Sequence, residues 1–363
     1  MKCQILHITS ENIKPISERD TRTMTRKPDF ENNLLRVLKK EKPARATMYE
    51  LFLHDSYYER FAGHGWDKTS ELSKMIMIID AMTAAGYDYA PCFGSTFTFN
   101  KKERIRASSI SLNGNSSIWD WESYEKYVWP DPDSFDYSVV EKVREYLPEG
   151  MKLCILGPCG VLENVIQIVG YDNLCYMLYD EPELVEQIFR DVGSRLLKYY
   201  QNSLSADTVG FISSNDDWGF NTQTFLSVDD MRKYVFPWHK KIVEAAHSFG
   251  VPALLHSCGN FERVIEDVIS DMKFDARHSY QDNIMPVEDA YRAFNGRIAV
   301  LGGMDMNFLL TASPDDVYKR SRAIIELTDG CRGYALGSGN SIPRAVPFEN
   351  FLAMSRAALE FDA

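Results

Sequence analysis

The stretch Val251–Asn260 reads VPALLHSCGN. An apolar run stops abruptly at an imidazole, a hydroxyl and a thiol, with a glycine and an amide behind them. A short continuous apolar run bounded in this way marks a strand buried on both faces of a parallel sheet, and the polar residues mark its carboxyl end. Working outward, the same unit recurs in both directions: a short apolar run, a turn, then apolar residues at helical spacing. Eight such runs are expected as strands, at Arg45–Phe52, Tyr87–Cys92, Lys152–Gly157, Thr208–Ser213, Ala253–His256, Asp275–Ser279, Ile298–Gly302 and Gly333–Gly337. Helices are expected at Ser70–Ala85, Glu181–Ser203, Ser227–Phe249, Ser313–Thr328 and Phe348–Phe361. Two of these carry start signals: Ser-x-x-Asp at Ser227, and Pro314 just inside the fourth helix.

Strands alternating with helices define the α/β class. Eight units in a chain of 363 residues favour a (β/α)8 TIM barrel over a doubly wound sheet. A doubly wound sheet would carry a phosphate-binding G-x-G-x-x-G near its first strand, whereas Gly337-Ser338-Gly339 is a fragment of that pattern at the far end. One barrel domain is therefore expected over 1–363, with an N-terminal helical extension at 1–41 and an aromatic-rich insertion at 93–150, after the second strand. The middle of the insertion, SSIWDWESYEKYVWPDPDSFDY, holds three Trp and three Tyr, and is expected to lie over the barrel mouth.

Hydrophobic residues make up 45% of the chain, enough to fill a large core. The formal net charge of −12 leaves no basic field for nucleic acid. No apolar window reaches the length of a membrane span, and the first residues lack a signal-peptide pattern. The seven cysteines, at 3, 92, 154, 159, 175, 258 and 331, are odd in number and mostly lie within apolar runs, which points to reduced thiols and a cytoplasmic location.

In a barrel the active site gathers at the carboxyl ends of the strands. Five consecutive expected ends are polar: Ser213–Gly219 with Asp216, Asp217 and Trp218; His256–Asn260; Arg277–Asp282 with His278 and Tyr280; Gly302–Asp305; and Gly337–Ser341 with Ser338 and Asn340. His256 and Cys258, two apart on an extended chain, project to the same side. Imidazole nitrogen and thiolate sulfur both suit zinc, and Asp217 or Asp216 on the neighbouring strand end is the nearest third ligand. Asp217, His278 and Asp216 are the candidate proton-transfer groups, and Trp218, Tyr280, Asp305, Asn340 and Ser338 the candidate substrate contacts. Each also has a structural reading: the Asp216–Asp217 pair as a loop cap, His278 as a buried hydrogen-bonded residue, Asp305 as the cap of a short helix at Met306–Leu310. Among the arginines of the C-terminal half, Arg277, Arg332 and Arg344 are expected near the mouth.

The segments NDDWGFNTQTFLSVDDMRKYVFPWHKKIV, GVPALLHSCGN, DARHSYQDNIMPVEDA, LGGMD and YALGSGNSIPRAVPFENFLAM, in this order, resemble the uroporphyrinogen decarboxylase superfamily over roughly 40–363. The resemblance implies the barrel with a deep funnel at the strand ends, and two chemistries. One is cofactor-free decarboxylation of uroporphyrinogen; the other is zinc-assisted methyl transfer to or from a corrinoid. The decarboxylases carry an arginine-rich Met-Arg-Gln-Ala-Gly-Arg segment and a Phe-Ser-Asp motif, where this sequence reads MYELFLHD (48–55) and DYAPCFGS (88–95). An octa-anionic porphyrinogen needs dense cationic recognition. The methyltransferases carry His-x-Cys at the fifth strand, matched by His256-Ser257-Cys258, and a second Cys after the eighth, where this sequence has Gly337-Ser338-Gly339-Asn340. The third zinc ligand is then either replaced, by Asp217, or absent.

The resemblance thus implies a cytoplasmic methyltransferase that moves methyl between a small O- or N-methyl donor and the corrinoid of a partner protein. Zinc on His256, Cys258 and Asp217 would polarise the donor, or Asp217 or His278 would protonate it. A homodimer is an open expectation. The competing readings are a uroporphyrinogen decarboxylase or related lyase, and a non-catalytic ligand-binding barrel.

Overall fold

Strands and helices alternate as the apolar runs dictate. The computed structural model describes residues 26–99 and 116–361. The expectations for residues 1–25 of the extension and 100–115 of the insertion lie outside the described residues. Seven strands, β1 (Tyr89–Phe93), β2 (Lys152–Leu156), β3 (Val209–Asn215), β4 (Ala253–His256), β5 (Ala276–His278), β6 (Ala299–Leu301) and β7 (Tyr334–Ala335), form one parallel sheet in sequential order. The run that opened the reading, Ala253–His256, is buried at every position, as a strand covered on both faces requires. Register places Asn215 beside His256, His256 beside His278, and His278 beside Leu301, so the polar ends share one level.

The expected first strand, Arg45–Phe52, is where the structure departs from the sequence. Among the described residues this stretch forms isolated parallel bridges, Met48 with Leu336 and Leu53 with Ile342, instead of a continuous strand. The reason lies on its other side. The Tyr89 hydroxyl accepts the Glu50 N–H at 2.8 Å and donates to the Glu50 carbonyl. A side chain of β1 fills the backbone groups that a neighbouring strand would use, and the ladder stops there. The sheet still curls: the segment preceding β1 lies against β7, and its Tyr49 ring stacks on Tyr89 of β1 with centroids 5.7 Å apart.

Within the curl, Phe30, Phe211, Tyr89 and Tyr49 form a column of rings with successive centroids 5.9, 5.1 and 5.7 Å apart. Tyr49 then meets the His278 ring edge-on at 4.9 Å. Burying each such ring contributes roughly 1.5–3 kcal/mol, and together they form a rigid apolar floor beneath the polar strand ends.

Most expected helices are present, as Glu71–Ala84, Pro182–Ser203, Pro314–Leu327 and Phe348–Leu359. Ser70 and Ser313 cap the first and third by accepting from the N–H groups of Ser73 and Asp316. The long helix expected at Ser227–Phe249 is interrupted: Val228–Asp230 leads into a π turn at Met231–Val235 and then Phe236–Ser248. Pro237 has no N–H to offer the Lys233 carbonyl, so the ladder widens by one residue. The described part of the insertion is anchored on Pro182–Ser203: Tyr124 donates to Asp191 at 2.7 Å, and Arg195 lies 5.0 Å over the Trp129 ring. No helix of the described residues is long and apolar enough to cross a membrane.

Candidate metal centre

The loops that follow β3 and β4 are laid backbone to backbone. Gly259 has φ +108°, and a Cβ there would stand 2.7 Å from the Gly219 backbone. Only glycine tolerates both that conformation and that approach. The contact draws Cys258 beside Asp217, whose Oδ1 accepts the Cys258 N–H at 2.8 Å. Ligand atoms of Asp217, His256 and Cys258 then lie within 4.8 Å of one another. The Cys258 sulfur also meets the Asn340 amide and the Ser279 hydroxyl, each at 3.4 Å. Ser279 holds φ +84°, unusual for a residue with a side chain.

Hydrogen-bond bookkeeping fixes the state of His256. His278 Nε2 faces the Ser338 carbonyl at 3.0 Å, so this nitrogen carries the proton and donates it. His278 Nδ1 is then an acceptor, and His256 Nδ1–H donates to it at 2.7 Å. His256 Nε2 is left with a free lone pair. Burial and the nearby Arg277 charge push His256 down to about 3, and burial with the adjacent His256 pushes His278 well below its usual range. Both imidazoles are therefore neutral at physiological pH, the form that binds a metal.

The Ser338 hydroxyl donates to the Asn340 carbonyl at 2.6 Å and also meets a Glu50 carboxyl oxygen, while the Ser338 N–H donates to the other at 2.7 Å. One hydroxyl proton cannot serve two acceptors, so Glu50 supplies its own proton to the Ser338 oxygen. This agrees with burial pushing the Glu50 carboxyl up to about 8. A chain of contacts thus runs from Glu50 through Ser338 and His278 to His256, and it holds the imidazole in one orientation.

Acidic groups crowd the other side. Glu163, near the start of the helix Val161–Val169, is pushed up to about 8 by burial and by the charges of Asp217 and Asp216. Burial raises Asp217 as well, against the Cys258 N–H that lowers it. Burial and Asp217 push the Cys258 thiol up to about 12. Without a cation the Glu163 carboxyl and the Cys258 thiol are held toward their protonated forms; a dication among these groups would reverse that balance.

The remaining expected site residues are distributed between the cluster and its supports. Asp216 is fully buried and turned away from the cluster: it accepts the N–H groups of Leu162 and Glu163, the Trp218 indole N–H and His239 Nε2, at 2.8–3.0 Å. Trp218 is buried with it. His278 and Ser338 have no exposed surface and support His256 from behind. Asp305 caps the helix Met306–Thr311 by accepting from Asn307 and Phe308, as its structural reading had it. Asn340 lies at Cys258, and Tyr280 is buried under Arg277. Of the three arginines, Arg332 precedes β7, at the end of the strand opposite the cluster, and pairs with Asp329; Arg344 is exposed. Sequence reasoning missed Glu50, Glu163 and His239. The signals were a lone acid inside the apolar run MYELF, and Gly-x-x-Glu opening a helix.

The uroporphyrinogen decarboxylase (URO-D) family pattern matches residues 113–361. The chain belongs to the uroporphyrinogen decarboxylase family. Curated relatives bearing that enzyme's name include one from Anaeromyxobacter dehalogenans, 24% identical over 286 residues, spanning 75% of this chain and 78% of the relative. Another, from Koribacter versatilis, is 22% identical over 62% of this chain and 63% of its own length. Among solved structures, a methyltransferase from Methanosarcina mazei superposes with a TM-score of 0.71 at 17% identity, covering 93% of this chain and 100% of that one, which establishes a shared fold.

Proposed function

We propose that this URO-D family member is a methyltransferase that moves a methyl group between a small O- or N-methyl donor and the corrinoid of a partner protein. The observation that carries the reading is the Asp217–His256–Cys258 set, with the His256 Nε2 lone pair left free by its bond to His278. One oxygen, one nitrogen and one sulfur within 4.8 Å suit tetrahedral zinc with the fourth position open to substrate. Bound there, zinc supplies Lewis acidity toward the heteroatom that carries the methyl group. The protein's own residues do the rest. His278 and Ser338 orient His256, Asn340 and Ser279 offer hydrogen bonds to the Cys258 sulfur, and the Cys258 N–H holds Asp217 in place.

In the same reading, the 47–53 segment is the eighth stave, which closes the barrel between β7 and β1. The insertion, with Trp119 and Trp121 58% and 41% exposed, forms the rim on which the corrinoid protein docks. The test is metal analysis of wild-type protein and His256→Ala, followed by methyl transfer to a free corrinoid. Near-stoichiometric zinc in wild type and its loss in the variant support the reading. Uroporphyrinogen decarboxylation by metal-free protein would sink it.

A further inference from the structure

Arg277 stands on β5 between Ala276 and His278, and its guanidinium is buried, with 5% of the residue exposed. It lies over two aromatic rings, 3.9 Å from the Phe261 centroid and 4.5 Å from that of Tyr280. Both rings are themselves buried. No carboxylate forms an ion pair with it among the described residues, and its Nε and the Tyr280 hydroxyl lack hydrogen-bond partners there. A guanidinium offers five N–H donors and cannot shed its charge, so burying it unpaired is costly, and buried charges in folded proteins are normally paired. Two cation–π contacts offset part of that cost but satisfy no donor. The position is also close to the metal centre: the Arg277 charge bears on His256 and His278, and Cys258 interacts with it in turn.

We infer that Arg277 and Tyr280 form a carboxylate-binding subsite beside the Asp217–His256–Cys258 centre, so that the methyl donor is an anion held by its carboxylate. Planar guanidinium donors match a carboxylate in shape and charge, and the Tyr280 hydroxyl, itself buried without a partner among the described residues, supplies a third donor. Phe261 and Tyr280 confine the guanidinium so that little side-chain entropy is lost on binding. The substrate class rests on the methyl-transfer reading; the anion subsite itself does not.

The test is a binding titration with purified protein alone, with no corrinoid partner. The probes are 4-methoxybenzoate and its neutral counterpart 4-methoxybenzyl alcohol, with acetate and ethanol as a smaller pair. Wild-type protein is expected to bind each carboxylate at least tenfold more tightly than its alcohol. Arg277→Met and Tyr280→Phe are expected to erode that preference, Arg277→Met by at least tenfold, with alcohol binding unchanged. In the absence of ligand, Arg277→Met is expected to raise the melting temperature, because the arginine serves the ligand and not the fold. Equal binding of carboxylate and alcohol by wild type overturns the subsite, whatever the variants do. So does an Arg277→Met protein that keeps the preference. Carboxylate preference without metal or methyl transfer would sink the reaction and leave the subsite standing; methyl transfer from neutral donors alone would do the reverse.

Discussion

Asp216 and Asp217 are neighbours in the chain with opposite duties. Asp216 commits both carboxylate oxygens to the fold, while Asp217 keeps an oxygen for the cluster. Asp216→Ala should therefore cost about 3–5 kcal/mol of stability, because it strands a buried imidazole, an indole N–H and a helix start. Asp217→Ala should leave stability within roughly 1 kcal/mol of wild type and weaken zinc binding instead. Urea unfolding beside a zinc titration separates the two; equal stability losses would refute the division. The histidines divide in the same way. His278→Phe removes the acceptor for His256 Nδ1–H without touching the cluster. Zinc affinity is expected to fall about 10–100-fold, the usual effect of losing a partner that orients a ligand.

At the scale of elements, the site depends on loops that can only be placed where side chains are missing. A Cβ on Gly160 would fall 2.0 Å from the Asp216 Cβ. Gly160→Ala must therefore push Asp216 off the start of the helix Val161–Val169, at a cost of roughly 1–3 kcal/mol or more. Calorimetry should show a lowered melting temperature, with zinc binding retained if the shift stays local. The π turn at Met231–Val235 acts in a similar way. Pro237 resets the helix that carries His239, whose ring bridges Ser214 and Asp216 beneath the cluster.

For the whole molecule, the buried titratable groups fix how stability depends on pH. Glu50 holds its proton to about 8 when folded, against 4.5 as an ordinary carboxyl. Below 4.5 both states carry the proton; between 4.5 and 8 only the folded state does, so stability falls as pH rises, by about 1.4 kcal/mol per pH unit for this group, and the loss is complete above 8. His256, pushed down from 6.5 to about 3, acts in the opposite sense: its contribution is present above 6.5 and is lost as pH falls through that range. Metal-free protein should therefore be most stable in mildly acidic solution. Glu50→Gln, which mimics the protonated carboxyl, should make the alkaline limb shallower and leave the part due to Glu163, which burial also pushes up to about 8. Unfolding free energies from pH 5 to 9 that decline equally in both proteins would show that Glu50 is not the group responsible.

The sequence by itself determined the α/β class, the positions of all seven strands to within about two residues, and the set of polar strand ends from which Asp217, His256 and Cys258 come. These follow from hydrophobic periodicity and from period-two alternation, which act over a few residues and leave a local trace. Only the tertiary structure decided that Asp216 and Asp217 part company, that His278 faces His256 and not solvent, and that Glu50 and Glu163 support the centre. Tertiary structure also decided that Tyr89 interrupts the segment expected as the first strand, and that Arg277 is buried against two rings without an ion-pair partner among the described residues. Each of these depends on contacts between residues far apart in the chain, such as the 288 positions between Glu50 and Ser338, and no local pattern encodes which buried polar group will meet which.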